Sequence, residues 1–144
     1  MADLSVTAAS VLKSANGKVK TGIAGATITA GQALYEDSTD SYKLKLADSD
    51  ASAAASNVVG IALHGAASGQ PLDYCYYDPS FTPGATLSNS ITGFTGVYVL
   101  SDTAGGIKPM GDIDADDYPV VLYVYLTATT CVLNIMRGTA TMAA

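Results

Sequence analysis

Few side chains in this sequence are of a type and spacing suited to catalysis. His64 is the sole histidine, and a histidine that acts as a general base needs a nucleophile or a carboxylate beside it. No serine or cysteine stands in a context typical of an activated nucleophile. We therefore interpret His64 as a surface or hydrogen-bonded histidine, and we predict no catalytic residue, no cofactor and no enzyme activity.

Four aspartates lie close together at Asp112, Asp114, Asp116 and Asp117. Their spacing is similar to the start of a calcium-binding loop, because hard cations prefer oxygen ligands. The pattern lacks the glycine at the sixth position, and Tyr123 stands where the closing glutamate belongs. We interpret the segment as a solvated acidic turn, with weak cation binding as the alternative, and we predict no metal site.

The two cysteines, Cys75 and Cys131, are too few for a disulfide framework. We favour two free, half-buried thiols in a reducing compartment. A bridge between Cys75 and Cys131 is the alternative.

Charge and hydropathy exclude other classes of protein. The net charge of −6 argues against nucleic-acid binding, which needs a basic face. No apolar run approaches the ~20 residues that span a bilayer, and the N-terminus lacks the apolar core of a signal peptide. Five of the seven basic residues lie in the first 45 positions, and they are Lys13, Lys18, Lys20, Lys43 and Lys45.

Two segments of the chain have similar sequences. Residues 25–28 read GATI and residues 84–87 read GATL, and each is followed by a longer similar stretch that begins at Gly31 or Gly96. With these two glycines aligned, the matched pairs are Asp37 with Asp102, Ser38 with Thr103, and Lys43 with Lys108. We therefore predict two copies of one small β unit.

Short alternating or apolar runs close each copy, at 58–63 and 71–77 in the first and at 120–126 and 129–136 in the second. Such runs are typical of strands, and no long stretch has helical periodicity. We predict an all-β sandwich or partly closed barrel of roughly ten or more strands. The predicted parts are an N-terminal arm with first strands (1–24), the first repeat (25–77), a Pro-rich linker (78–83), and the second repeat with a C-terminal tail (84–144).

The amino-acid sequence resembles those of a family of tailed-bacteriophage head proteins. These are the small capsid decoration or cement proteins, also called head fibre proteins, and the resemblance covers nearly the whole chain. The phrases that carry it, in order, are AGQ at 30–32, KLKLAD at 43–48, VGIA at 59–62, GQP at 69–71, 98–109 and DYP at 117–119.

The resemblance implies a structural protein without enzyme activity or cofactor. Its partner would be the major capsid protein, on the outer surface of the virion after synthesis in the host cytoplasm, where it would tighten contacts between capsomers. Similarity in layout to the lambda-type decoration protein favours a homo-oligomer, and a trimer over a dimer. The alternative function is a carbohydrate-binding or adhesin-like β module on the virion.

Two segments are the candidates for contact with the capsid or a neighbouring subunit. The N-terminal arm carries apolar and basic side chains that have no counterpart in the second repeat, although it could instead complete its own sheet as an edge strand. A tyrosine-rich strand offers amphipathic rings. The candidate residues are Leu4, Val6, Val11, Leu12, Lys13, Lys18, Lys20, Tyr74, Tyr76 and Tyr77.

Overall fold

Ten β-strands and three single-turn 3-10 helices make up the described structure. The computed structural model describes residues 3–90, 95–138 and 140–141. The strands are β1 (Val11–Leu12), β2 (Lys18–Ile23), β3 (Ala33–Asp37), β4 (Lys43–Leu46), β5 (Gly60–Ala62), β6 (Pro71–Pro83), β7 (Val97–Leu100), β8 (Ile107–Pro109), β9 (Val120–Tyr125) and β10 (Cys131–Arg137). The helical turns are Ala8–Ser10, Ser38–Asp40 and Met110–Asp112. The prediction of an all-β protein is confirmed.

The strands form a curled antiparallel sheet in the order β4-β3-β5-β6-β10-β9-β7-β8, with β1 and β2 also paired to β6. Strand β6 is the centre of this arrangement because it is bonded on both edges. Cys75 pairs with Val19 on one side and Ile61 on the other, and Tyr77 pairs with both β2 and β10. Strands β5 and β10 therefore share one edge of β6, and β2 lies on the opposite edge.

This pairing divides the strands into two groups. The first strand group contains β2, β3, β4, β5 and the first half of β6, and the second contains the rest of β6 with β7, β8, β9 and β10. A small apolar cluster lies within the first group, with Ile28, Leu34 and Leu72 fully buried. A larger cluster spans both groups, because it joins Ile61 of the first to Phe81 of the second. The two groups thus share one apolar interior, and the first has a smaller one besides.

The prediction of a Pro-rich linker at 78–83 is wrong, because these residues continue strand β6. Phe81 is fully buried and pairs with Cys131. Pro79 falls where the pairing with β10 shifts register, and Pro83 is the last residue of the strand. Neither position needs a backbone N–H for the ladder, so both prolines are tolerated there.

The N-terminal segment, residues 3–12, lies along the sheet of its own chain and is hydrogen-bonded to it. The backbone N–H of Leu4 donates to the Ile107 carbonyl at 2.8 Å, and that of Thr7 donates to the Gly84 carbonyl at 2.7 Å. Val11 then pairs with Pro83 in β6. The segment therefore joins β8 to β6 within the second strand group, which agrees with the edge-strand alternative instead of a free arm.

Asp78 holds the turn that follows this segment. Its fully buried carboxylate accepts the Ser14 backbone N–H at 2.6 Å, the Ser14 hydroxyl, and the Ser80 N–H at 2.9 Å. These bonds satisfy a buried charge with several donors. They also fix the crossing from β1 to β2 against the middle of β6.

Substitution of Gly84 tests how tightly the N-terminal segment is seated. Gly84 has φ +76°, and an added Cβ would lie 2.6 Å from the Thr7 carbonyl oxygen. Gly69 has φ +91° but no heavy atom within 4 Å of such a Cβ. We expect Gly69→Ala to lower the free energy of unfolding by about 1–2 kcal/mol through backbone strain alone. Gly84→Ala should cost about 1–3 kcal/mol more, because the segment must shift.

Denaturant unfolding of the two variants provides the measurement. Equal losses for Gly84→Ala and Gly69→Ala would show that residues 3–12 do not pack on Gly84 in solution.

Candidate functional site

The predicted contact residues divide into buried and exposed sets. Val11 and Tyr74 are buried, and Leu4 packs half-buried against the larger apolar cluster. A capsid contact through Val11 or Tyr74 stays a prediction, although both side chains lie in the interior of the folded chain. Leu12 is 66% exposed and Val6 is 37% exposed.

Lys18 and Lys20 lie on β2, and Tyr76 lies on the neighbouring strand β6. We define the β2 surface as Lys18–Ile23 together with Tyr76. Lys18 and Lys20 are exposed, and the Lys20 Nζ lies 5.0 Å from the centroid of the Tyr76 ring. Such a cation–π contact holds the ammonium group over the ring while leaving it in water. Lys13 and Tyr77 are half-buried nearby in the chain.

Two clefts flank the N-terminal segment. One has a volume of ≈ 290 Å³, and its lining includes Leu4, Gln32 and Ile107. Its sole titratable side chain is Asp3, whose carboxylate accepts the Ser101 hydroxyl at 2.7 Å. The other cleft has a volume of ≈ 250 Å³ and is lined by small residues, mainly serines and threonines. Neither lining brings an acid, a base and a nucleophile together.

The acidic segment contains a buried ion pair that the sequence interpretation missed. Lys108 and Asp117 are 3% and 1% exposed, and Lys108 Nζ lies 2.7 Å from Asp117 Oδ2. Asp117 also accepts the Ser49 hydroxyl and the Asp114 backbone N–H, both at 2.7 Å. The prediction of a solvated acidic turn is therefore wrong for Asp117. The available sequence signal was a lone lysine between Ile107 and Pro109, next to the acidic run.

Several carboxylates surround this lysine, and their charges set the pKa of each partner. Burial works to lower the pKa of Lys108, but the hydrogen bond and charge of Asp117, with Asp102 and Asp114, raise it overall. Burial likewise works to raise the pKa of Asp117, and the bonds from Lys108, Asp114 and Ser49 lower it overall. Both groups are therefore charged at neutral pH.

Ligand atoms of Asp50, Asp102 and Asp117 lie within 4.8 Å of one another. The Lys108 ammonium lies 2.7 Å from Asp117 and 3.8 Å from Asp102. A divalent cation here would have to compete with that ammonium. The arrangement is a lysine enclosed by carboxylates, which ties β8 to the loops around it.

His64 lies on the surface in a local network. Its Nε2 accepts the Asp73 backbone N–H at 3.1 Å, and its Nδ1 donates to the Gly65 carbonyl at 2.9 Å. Both ring nitrogens are used by backbone groups in this neutral form. The arrangement orients no nucleophile, and it agrees with the interpretation of a hydrogen-bonded surface histidine.

Both cysteines are fully buried free thiols. Burial raises the pKa of each thiol, so neither forms the reactive thiolate readily. Tyr123 lies in the same cluster, and its buried hydroxyl has no hydrogen-bond partner among the described residues. These groups act as packing in the interior.

A scan against models of known protein families finds no match, and a search of curated proteins finds none either. No helix in residues 3–90, 95–138 or 140–141 is long and apolar enough to cross a membrane.

Removal of the Lys108 charge should destabilise the chain strongly. We expect Lys108→Met to lower the free energy of unfolding by about 3–5 kcal/mol, because a buried Asp117 carboxylate loses its counterion. The more accessible pair of Lys45 with Asp37, at 2.9 Å and with side chains 28% and 17% exposed, supplies the control, and Lys45→Met should cost less.

The pH dependence gives this prediction a second measurement. The pKa of Asp117 lies below its ordinary 3.8, so its stabilising contribution is present above that value and lost as pH falls through the lowered one. In Lys108→Met the orphaned carboxyl instead takes up a proton. The difference in unfolding free energy between wild type and variant should therefore narrow in acid. A constant difference from pH 7 to pH 3 would contradict the buried pair.

We expect phenylalanine substitutions at two neighbouring tyrosines to have opposite effects on the free energy of unfolding. Tyr98 pairs with Tyr123 across β7 and β9, and its hydroxyl accepts the Ser88 N–H at 2.9 Å. Tyr123→Phe removes an unsatisfied hydroxyl and should raise the free energy of unfolding by about 1 kcal/mol. Tyr98→Phe should lower it by about 1–3 kcal/mol, because Ser88 loses its partner. Thermal melting of both variants checks the signs, and a destabilised Tyr123→Phe would reveal a bond to that hydroxyl.

Proposed function

We propose that the chain is a structural capsid decoration or cement protein that binds the outer surface of a phage head. The observation that carries this proposal is where the polar and charged side chains lie. Asp3, Asp78 and Lys108 hold segments of the fold together, whereas the β2 surface leaves Lys18 and Lys20 exposed. A chain whose interior polar groups stabilise the fold and whose lysines are exposed is suited to bind a partner through its surface, which accords with the family resemblance.

We also infer that the two strand groups are copies of one unit. The strand order β4-β3-β5-β6 mirrors β8-β7-β9-β10. Equivalent pairs support the inference: Ala33 with Ile61 matches Tyr98 with Tyr123, and Val19 with Cys75 matches Asp78 with Leu133. The bond of Ile28 to Ala66 likewise matches that of Leu87 to Ala128.

The hairpins of the two groups differ in one respect. Asp37 pairs directly with Lys43 in the first group. In the second group the last pair is Leu100 with Ile107, so Asp102 lies beyond the ladder. The copies therefore share their strand pairing, and the turns between β3 and β4 and between β7 and β8 have diverged.

A compact duplicated β domain suits a cement role. The partner is the major capsid protein, which presents many identical sites, so a modest contact is multiplied by symmetry. We favour a homo-oligomer, a trimer over a dimer, on the outer surface of the virion. Neither nucleic acid nor membrane is a partner in this proposal.

The alternative, a carbohydrate-binding or adhesin-like module, requires an exposed platform of aromatic rings. Tyr74, Tyr98 and Tyr123 are buried, and Tyr42, at 65%, is the single strongly exposed tyrosine in the described residues. An isolated ring makes a poor platform, so the tyrosines favour the cement role.

Binding to purified capsids tests the proposal. We expect the full chain to co-sediment with expanded capsids that lack it, to saturate at a copy number set by the icosahedral lattice, and to raise the temperature at which the shells disrupt. Unexpanded shells are the control and should bind less. Failure to bind expanded capsids, together with retention on a glycan array, would replace the proposal with the carbohydrate-binding alternative.

A further inference from the structure

Strand β2 has a free outer edge. One edge pairs with β6 from Lys18 to Ile23, and no other strand of the described residues pairs with the opposite edge. At its C-terminal end this edge lies against β4, where Ala24 bridges to Leu44 and the Gly25 N–H donates to the Leu44 carbonyl at 2.8 Å. The part of the edge along Lys18–Thr21 is therefore the part open to another chain.

The direction of these backbone groups follows from the residue after the strand. The Ala24 N–H donates to the Gln70 carbonyl, and its own carbonyl accepts the Gly69 N–H. Because successive residues in a strand point their N–H and C=O groups to opposite edges, Thr21 and Ile23 direct theirs outward. Pro71, which has no N–H, stands opposite Ile23, and this position of the ladder does not need one.

The equivalent edge of the second strand group is covered. In the proposed duplication the second half of β6 corresponds to β2, and there Leu12 pairs with Thr82 and Val11 with Pro83. In the first group the corresponding place, at Ala24, lies against Leu44 of β4. The outer edge of this strand position therefore takes a neighbouring strand in both groups, and along β2 the stretch Lys18–Thr21 is the part left open.

Charge selects the kind of strand that fits beside β2. Lys18 and Lys20 flank the open edge, and the side chains of Val19 and Ile23 are 37% and 43% exposed. Two β2 strands from separate copies would bring lysines close to lysines, which is unfavourable across a strand pair. An acidic strand with some apolar side chains complements both the charges and the apolar residues.

We propose that the outer edge of β2 is a docking site for an acidic, extended segment of the capsid, added to the sheet as a further strand. Main-chain hydrogen bonds from Thr21 and from Val19, which by the same alternation directs its backbone groups outward, supply affinity, and Lys18 and Lys20 select acidic side chains. This inference rests on the proposed cement function and names the part of the chain that performs it. The rival explanation is that the two lysines only keep an exposed edge from aggregating.

One pair of substitutions separates these explanations. Thr21→Pro removes an outward N–H and places a ring on the open edge, while the bonds between β2 and β6 remain. Thr21→Val is the matched control, since both variants lose the 2.5 Å bond from the Thr21 hydroxyl to Asp73, and only the proline blocks strand addition. We expect Thr21→Pro to bind expanded capsids about tenfold or more weakly than Thr21→Val. Lys18→Glu with Lys20→Glu should weaken binding as well.

Hydrogen–deuterium exchange on the unmodified chain supplies a measurement that does not depend on a variant folding. The amides of Val19 and Thr21 should exchange freely in the isolated protein and become protected on the capsid. Thr21→Pro that folds and binds as well as Thr21→Val would overturn the docking site, as would unprotected amides at both positions, and the cement function would stand. Wild-type protein that fails to bind capsids would overturn both proposals. Sedimentation velocity gives the last outcome: if Thr21→Pro dissociates an oligomer and leaves capsid binding intact, a second copy occupies the edge and the acidic-segment proposal is wrong.

Discussion

The whole fold depends on the pairing of one strand, β6, along both of its edges. A buried strand must satisfy its backbone groups on each side, and β6 achieves this over thirteen residues with four different partners. Its first half contributes Leu72 to the smaller apolar cluster and Cys75 to the larger, and its second half adds Phe81 to the larger. Neither strand group can therefore unfold without removing hydrogen bonds and apolar contacts from the other, so we expect the two to unfold as one cooperative domain.

Polar groups strengthen the joints that backbone pairing leaves weak. Asp78 secures the turn between β1 and β2, and Lys108 secures the loop that contains Asp114 and Asp117. Both are charged groups placed in the interior, where each needs several partners to offset the loss of water. These interior groups are satisfied within the fold, whereas side chains such as Lys18 and Lys20 are exposed at its surface.

The sequence predicted the strands well and their connections less well. Apolar runs located β5, β9 and β10, because burial on a pleated surface leaves a pattern that can be read locally. The prolines of residues 78–83 suggested a linker. The sequence alone could not correct this, because the register shift that accommodates Pro79 depends on β10, more than fifty residues away. The burial of Lys108 could not be predicted from the sequence either. A lysine is normally exposed, and the carboxylates that pair with this one come together only when the loop is folded.

The candidate surface followed the same pattern. Lys18 and Lys20 could be selected from composition alone, and they are exposed as expected. Tyr74 could not be distinguished from Tyr76 by type or spacing, and its burial follows from which face of β6 meets the first apolar cluster. The open edge of β2 had no sequence signal, because it depends on which strands the folded chain places beside β2.

The position of residues 3–12 has a consequence for the timing of folding. This segment leaves the ribosome well before its partners Gly84 and Ile107. Contacts between residues so distant in sequence form slowly, because a long loop must close before they are made. Residues 3–12 must therefore wait for the second strand group, and a translation product that ends before β8 would leave them without the Ile107 partner.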